Sequence, residues 1–166
     1  MAEKFLKNVN GDLAEQEALD ASAGAGDAGK VPALDTSGRL SQTMMPVGVG
    51  PDTATITADE DLGAGDYVNI VPTTGHVRLA DASNGYRVDG FVLDAVSSGQ
   101  DALVYFEGRN TSVSGLTPGA KQYLSETAGK TTETPVTTSG SISQYIGKAI
   151  TATEMTTEFA RPITIA

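Results

Sequence analysis

The sequence has no cysteine, no tryptophan and one histidine, His76. Without thiols there is no disulfide framework, no thiolate nucleophile and no cysteine-ligated zinc or iron–sulfur site. No uninterrupted apolar run reaches the length of a membrane helix. The first ten residues carry Lys4 and Lys7 with no apolar stretch behind them, so neither a secretion leader nor a membrane span is expected. Positive charge is also scarce: 11 Lys and Arg stand against 21 Asp and Glu, a formal net charge of -10. A chain this acidic, with no basic cluster, cannot exchange the counterions of a nucleic acid and is disfavoured at an anionic membrane surface. A positively charged protein partner, or a crowded self-repelling array, remains compatible with it.

What the 166 residues do contain is glycine (19), threonine (20) and serine (12), with Leu, Ile, Val and Phe together making only 35. That mixture belongs to short strands and tight turns. The apolar share lies near the disorder boundary, but the charge density that drives disorder is missing. The length suits one core carrying a separately ordered arm.

Residues 1–50 read as that arm. Lys4 to Val9 alternates weakly and ends at the turn signal Asn10-Gly11. Asp12 followed by Glu15 has the spacing of a capping box, which predicts a short helix over Leu13 to Leu19 with a thin apolar stripe. Ala21 to Gly29 has no bulky side chain to offset its ordering entropy. Lys30-Val31-Pro32-Ala33-Leu34 is extended by its proline, Asp35 to Gly38 is a turn, and Arg39, Leu40, Met44, Met45 and Pro46 follow. The large apolar residues Phe5, Leu6, Leu34, Leu40, Met44 and Met45 are too few for a core, and the arm is expected to bury them on a partner.

From Ala54 the pattern is all-β, predicting a small barrel or β-sandwich-like domain over 51–166. Strands are expected at 54–57, 66–71, 76–79, 86–95, 102–107, 120–124, 129–132, 142–149 and 159–165. The chain also resembles itself. Leu62, Gly65 and Gly75 recur 54 positions later as Leu116, Gly119 and Gly129, and after a three-residue insertion 88–95 parallels 145–152. Two related halves follow from this frame. Pro118-Gly119 suits a type II turn, Gly65 marks the corresponding turn, and Gly90 and Gly147 within strands predict a bulge or a close backbone approach.

Chemistry is hard to find. His76 has no serine elbow or metal motif beside it and reads as an exposed or edge-strand imidazole. Asp59-Glu60-Asp61 with Asp66 lacks the spacing of a calcium loop and reads as solvated loop charge. Asp89 with Asp94, or Asp101 with Glu107, could be paired as glycosidase carboxylates only by assuming a spatial separation. Gly24-Ala25-Gly26 and Gly48-Val49-Gly50 complete no phosphate loop, and Asn110-Thr111-Ser112 reads as a turn, not a glycan acceptor. No enzyme, cofactor or metal is expected.

The run from Gly29 to Leu40, continuing to Met44-Met45-Pro46, resembles leader segments of tailed-bacteriophage virion proteins. Thr131 to Gly147, with Gln144-Tyr145-Ile146-Gly147, looks like the β domains of phage head decoration proteins. The resemblance implies a structural protein of the outer capsid surface, made in the bacterial host cytoplasm. It would staple the major capsid protein as a homo-oligomer, a trimer in preference to a dimer. It places Lys30 to Leu40 and Met44 to Pro46 in a capsid-contacting arm, and Gln144 to Gly147 in the β core. Similar leaders occur in tail fibres, so a tail-fibre or baseplate adaptor is the alternative, with a glycan-binding module or glycan hydrolase as a third class.

Overall fold

Asn10-Gly11 sets the first element. Both residues take positive φ, 56° and 102°, the conformation of a two-residue hairpin turn whose twist matches the flanking strands. The Asn8 side chain accepts the Gly11 N–H at 2.9 Å. Strand β1 (Lys4–Val9) therefore pairs antiparallel with β2 (Asp12–Glu17), from Lys4 opposite Glu17 to Val9 opposite Asp12. The short helix expected over 13–19 is thus corrected to a strand up to Glu17. Its apolar stripe was too thin to stabilise a helix alone, and the turn supplied a pairing partner. The computed structural model describes residues 4–36, 38–45 and 49–166 and divides into two units, Met1–Gly50 and Pro51–Ala166.

After the hairpin, Leu19 bridges Pro32, its N–H reaching the Val31 carbonyl at 3.0 Å while the Ala33 N–H reaches Leu19 at 2.6 Å. The glycine-rich loop so closed contains a 3-10 turn, Ala25–Asp27. Asp27 organises it, accepting the Ala23 N–H at 2.7 Å and pairing with Lys30 at 2.8 Å. A second 3-10 turn spans Gln42–Met44.

The second unit is built from two open five-stranded antiparallel sheets. In the first, β3 (Thr53–Thr57), β4 (Tyr67–Ile70), β5 (Val77–Leu79), β6 (Gly90–Val92) and β7 (Asp101–Tyr105) lie in the order β3-β7-β6-β4-β5. In the second, β8 (Arg109–Asn110), β9 (Lys121–Leu124), β10 (Thr131–Thr132), β12 (Tyr145–Ala149) and β13 (Met155–Thr157) lie in the order β8-β13-β12-β9-β10. These are the same order, strand for strand. The remaining pair, β11 (Ile142–Ser143) with β14 (Ile163–Thr164), forms a small separate sheet.

Backbone hydrogen bonds repeat with the strands. Leu62 donates to Val96 and Leu116 to Ala152; Gly65 donates to Val92 and Gly119 to Ala149; Val71 donates to His76 and Ser125 to Lys130. Each pair of donors keeps the 54-residue offset, and the acceptors beyond the insertion are shifted further, Val92 to Ala149 by 57 and Val96 to Ala152 by 56. The domain is an internal duplication, all-β and sandwich-like. Among the described residues no closed barrel forms: β3 and β5 form no ladder, and the segment after β3 meets β5 through an isolated bridge, Ala58 to Val77, and the hydrogen bonds beside it.

One face of the first sheet carries Val68, Val92, Ala102 and Val104, and closes over Ala58, Leu62 and Val77 as its own core. The other face presents Tyr67 and Phe91, which join Leu124, Ile146 and Met155 of the second sheet in a shared core. The expected strand at 142–149 breaks at Gln144. Its buried amide accepts the Val88 N–H at 2.8 Å and donates to the carbonyls of Val88 at 3.2 Å and Ala160 at 3.0 Å. β8 and β13 were not expected from sequence, being too short to show alternation.

Candidate functional site

In the N-terminal unit no described residue is buried. A two-stranded hairpin is marginal without a covering surface, and this one places alternate side chains on two open faces. Lys4, Leu6 and Asn8 share one face with Leu13, Glu15 and Glu17. There Leu6 is 66% and Leu13 is 72% exposed, diagonal neighbours flanked by the Lys4–Glu15 ion pair at 3.0 Å. The opposite face carries Phe5 and exposed Val9.

The residues expected to form a contacting arm are presented as follows. Leu34, 63% exposed, stands out from the segment after the Leu19–Pro32 bridge, with Val31, Leu40 and Met45 also exposed and Phe5 and Met44 half-buried. Lys30 is occupied by Asp27, whose carboxyl it holds below its usual range together with the Ala23 N–H. Pro32 is part of the bridge to Leu19. Arg39 is fixed through its backbone, its N–H donating to the Asp35 carboxylate at 2.9 Å and its carbonyl accepting from Asp35 at 2.8 Å. Pro46 lies outside the described residues. Leu13 and Val9 also belong to the exposed set, which the helix expected over 13–19 does not reveal; the Asn10-Gly11 turn is the signal in the sequence that places both on a hairpin.

The expected structural turns have distinct roles. Asp66 N–H to Gly63 and Ala120 N–H to Thr117, at 3.1 and 3.0 Å, close turns with Gly65 (φ 80°) and Gly119 (φ 83°) in the third position, where a type II turn takes positive φ. A Cβ on Gly65 would fall on the Ser112 carbonyl, whereas one on Gly119 would meet nothing. A Cβ on Gly90 would lie 2.6 Å from Val104 Cγ1 and 2.8 Å from the Tyr105 carbonyl, and one on Gly147 would strike the Thr156 carbonyl. The β12–β9 register slips between Tyr145 and Gly147.

The acidic run is exposed loop charge, as expected, and each carboxylate also has a partner. Asp59 meets His76 Nδ1 at 2.6 Å, Glu60 accepts the Leu79 N–H at 2.9 Å and Asp61 accepts the Ser98 N–H at 2.8 Å. The three carboxylates diverge and tie their loop to different neighbours. Asp66 pairs with Lys130, joining the two halves, and accepts the Gly63 N–H at 2.7 Å. Among the described residues no three His, Asp or Glu converge as metal ligands, and no helix is long and apolar enough to cross a membrane. Compared with known proteins, the sequence matches no family model and no curated protein.

Proposed function

We propose that the chain is a structural virion protein of a tailed bacteriophage that binds the outside of the assembled head and stabilises contacts between major capsid protein subunits. The observation that carries this reading is the N-terminal unit, in which no described residue is buried and Leu6 and Leu13 share one open hairpin face. Full burial of a large apolar side chain contributes roughly 1.5–3 kcal/mol before ordering costs. Several such contacts per subunit, repeated in a homotrimer, would hold neighbouring capsid subunits by multivalency. The resemblance of Gly29 to Pro46 to virion leaders supplies the partner class, and the net charge of -10 suits a basic capsid surface.

The test is occupancy on purified heads by the full chain and by the double variant Leu6→Asp with Leu13→Asp. Loss of binding by about tenfold or more is expected, since two buried anchors exceed the roughly 1.4 kcal/mol that a tenfold change represents. Unchanged occupancy would remove the hairpin from the interface. Labelled protein found only at the tail would select the adaptor reading instead.

A further inference from the structure

The duplicated halves differ at one buried position that the shared architecture does not explain. Val68 on β4 is wholly buried in the core of the first half. Its counterpart 54 residues on is Gln122 on β9, only 1% exposed, with neither its amide nitrogen nor its amide oxygen hydrogen-bonded. The hydroxyl of Tyr67, equally buried, has the Asn110 side chain beside it but likewise makes no hydrogen bond of good geometry. Such groups cost roughly 1–3 kcal/mol each when left unpaired. The same fold satisfies its other deeply buried glutamine, Gln144, at both ends of the amide.

Gln122 and Tyr67 both line a cleft of about 410 Å³ between Ser112–Leu116 and Gly129–Glu133, within the usual size of small-molecule sites. In the first half the corresponding space is closed. There the bridge from Ala58 to Val77, the Asp59 N–H to the Val77 carbonyl at 2.8 Å, and Glu60 on the Leu79 N–H strap the loop onto β5. No bridge joins Ser112–Leu116 to β10 among the described residues. Asn110 instead donates to the Gly65 carbonyl at 2.9 Å and accepts from Ser112 at 3.1 Å, drawing this segment toward the first half. The walls are linked by the Thr117 N–H on Glu133 at 2.8 Å. Glu133 also stands beside the Gln122 side chain, without bonding geometry.

We propose that this cleft is a binding site for a neutral saccharide, with Gln122 and Tyr67 receiving a pair of adjacent sugar hydroxyls as the walls part. A carboxamide presents one donor and one acceptor side by side, and a vicinal diol offers the complement on neighbouring oxygens. A trans peptide group directs its N–H and carbonyl to opposite sides and meets one end only. Gln122 and Tyr67 are uncharged, Glu133 in the lining is acidic, and the one cation there, Lys130, is already paired with Asp66, which disfavours an anionic ligand. Val113 and Leu116 in the wall would face the apolar C–H surface of the ring.

Full-length protein titrated with glucose, galactose, mannose and N-acetylglucosamine, followed by amide chemical shifts, is the test, with tri-alanine as the peptide probe. Saturable binding of at least one sugar is expected at millimolar concentration. Gln122→Val, the residue of the first half, should weaken it by about tenfold while raising Tm, and Tyr67→Phe should weaken it less without lowering Tm. If no sugar binds, or both variants bind it unchanged, the proposal falls. A Tm lowered by Gln122→Val together with absent binding assigns the amide to buried water, and saturation by tri-alanine alone assigns the cleft to a peptide; either outcome overturns it.

Discussion

The first half of the duplicated domain is closed by its own loop, and the second, with the same strand order, is not. Hydrophobic closure around Val68, Val77 and Val104 gives the first half a core of its own. The second lends Leu124, Ile146 and Met155 to a core shared with Tyr67 and Phe91. A duplicated architecture thus needs only one copy to be self-sufficient, which frees positions in the other. Exchanging the divergent residues should show how far that freedom extends.

The largest effect is expected from Val68→Gln. The substitution places the second half's amide where no cleft lies beside it, combining an unpaired polar group with overpacking. About 4 kcal/mol of destabilisation should follow, measured by denaturant unfolding at constant m value. Wild-type stability would mean that the first core is not closed as described.

Next come the paired turn glycines. Gly65→Ala must tolerate positive φ and drive a methyl group into the Ser112 carbonyl, whereas Gly119→Ala carries the φ strain alone. Costs of about 3 and about 1 kcal/mol are expected. Equal values would show that Ser112 moves freely and that the second half's linker is not pinned against the first.

Much of this comparison was legible in the sequence. Leu62, Gly65 and Gly75 with their counterparts disclosed the duplication because turn geometry and chain anchoring restrict those positions to few residue types. The Asn10-Gly11 hairpin was equally plain, yet the capping-box spacing of Asp12 and Glu15 led to a helix, since local propensity says nothing of a partner strand. The roles of Asp59, Glu60 and Asp61 were invisible because their partners, the His76 ring and the Leu79 and Ser98 N–H groups, are assembled only by long-range pairing. Gln122 gave no warning either. A glutamine in a strand usually faces solvent, and only its alignment with Val68 could have marked it as buried.

The smallest effects should come from the carboxylates tying each loop. Glu60→Ala removes the acceptor of the Leu79 N–H, and about 1 kcal/mol of local protection should be lost, read as faster amide exchange at Leu79. Glu133 makes the opposite connection, from the β10 side to Thr117. The Thr117 N–H and hydroxyl hold its carboxyl below its ordinary range. A group with its pKa lowered in the folded state contributes stability above its unfolded value and loses it as pH falls through the folded one. The Thr117 tie should therefore persist through mild acidification and release only below the ordinary glutamate range, seen as a Thr117 amide shift titrating with Glu133. In Glu133→Gln that titration should vanish. If it persists, another group holds the wall, and the open half is tied by something other than Glu133.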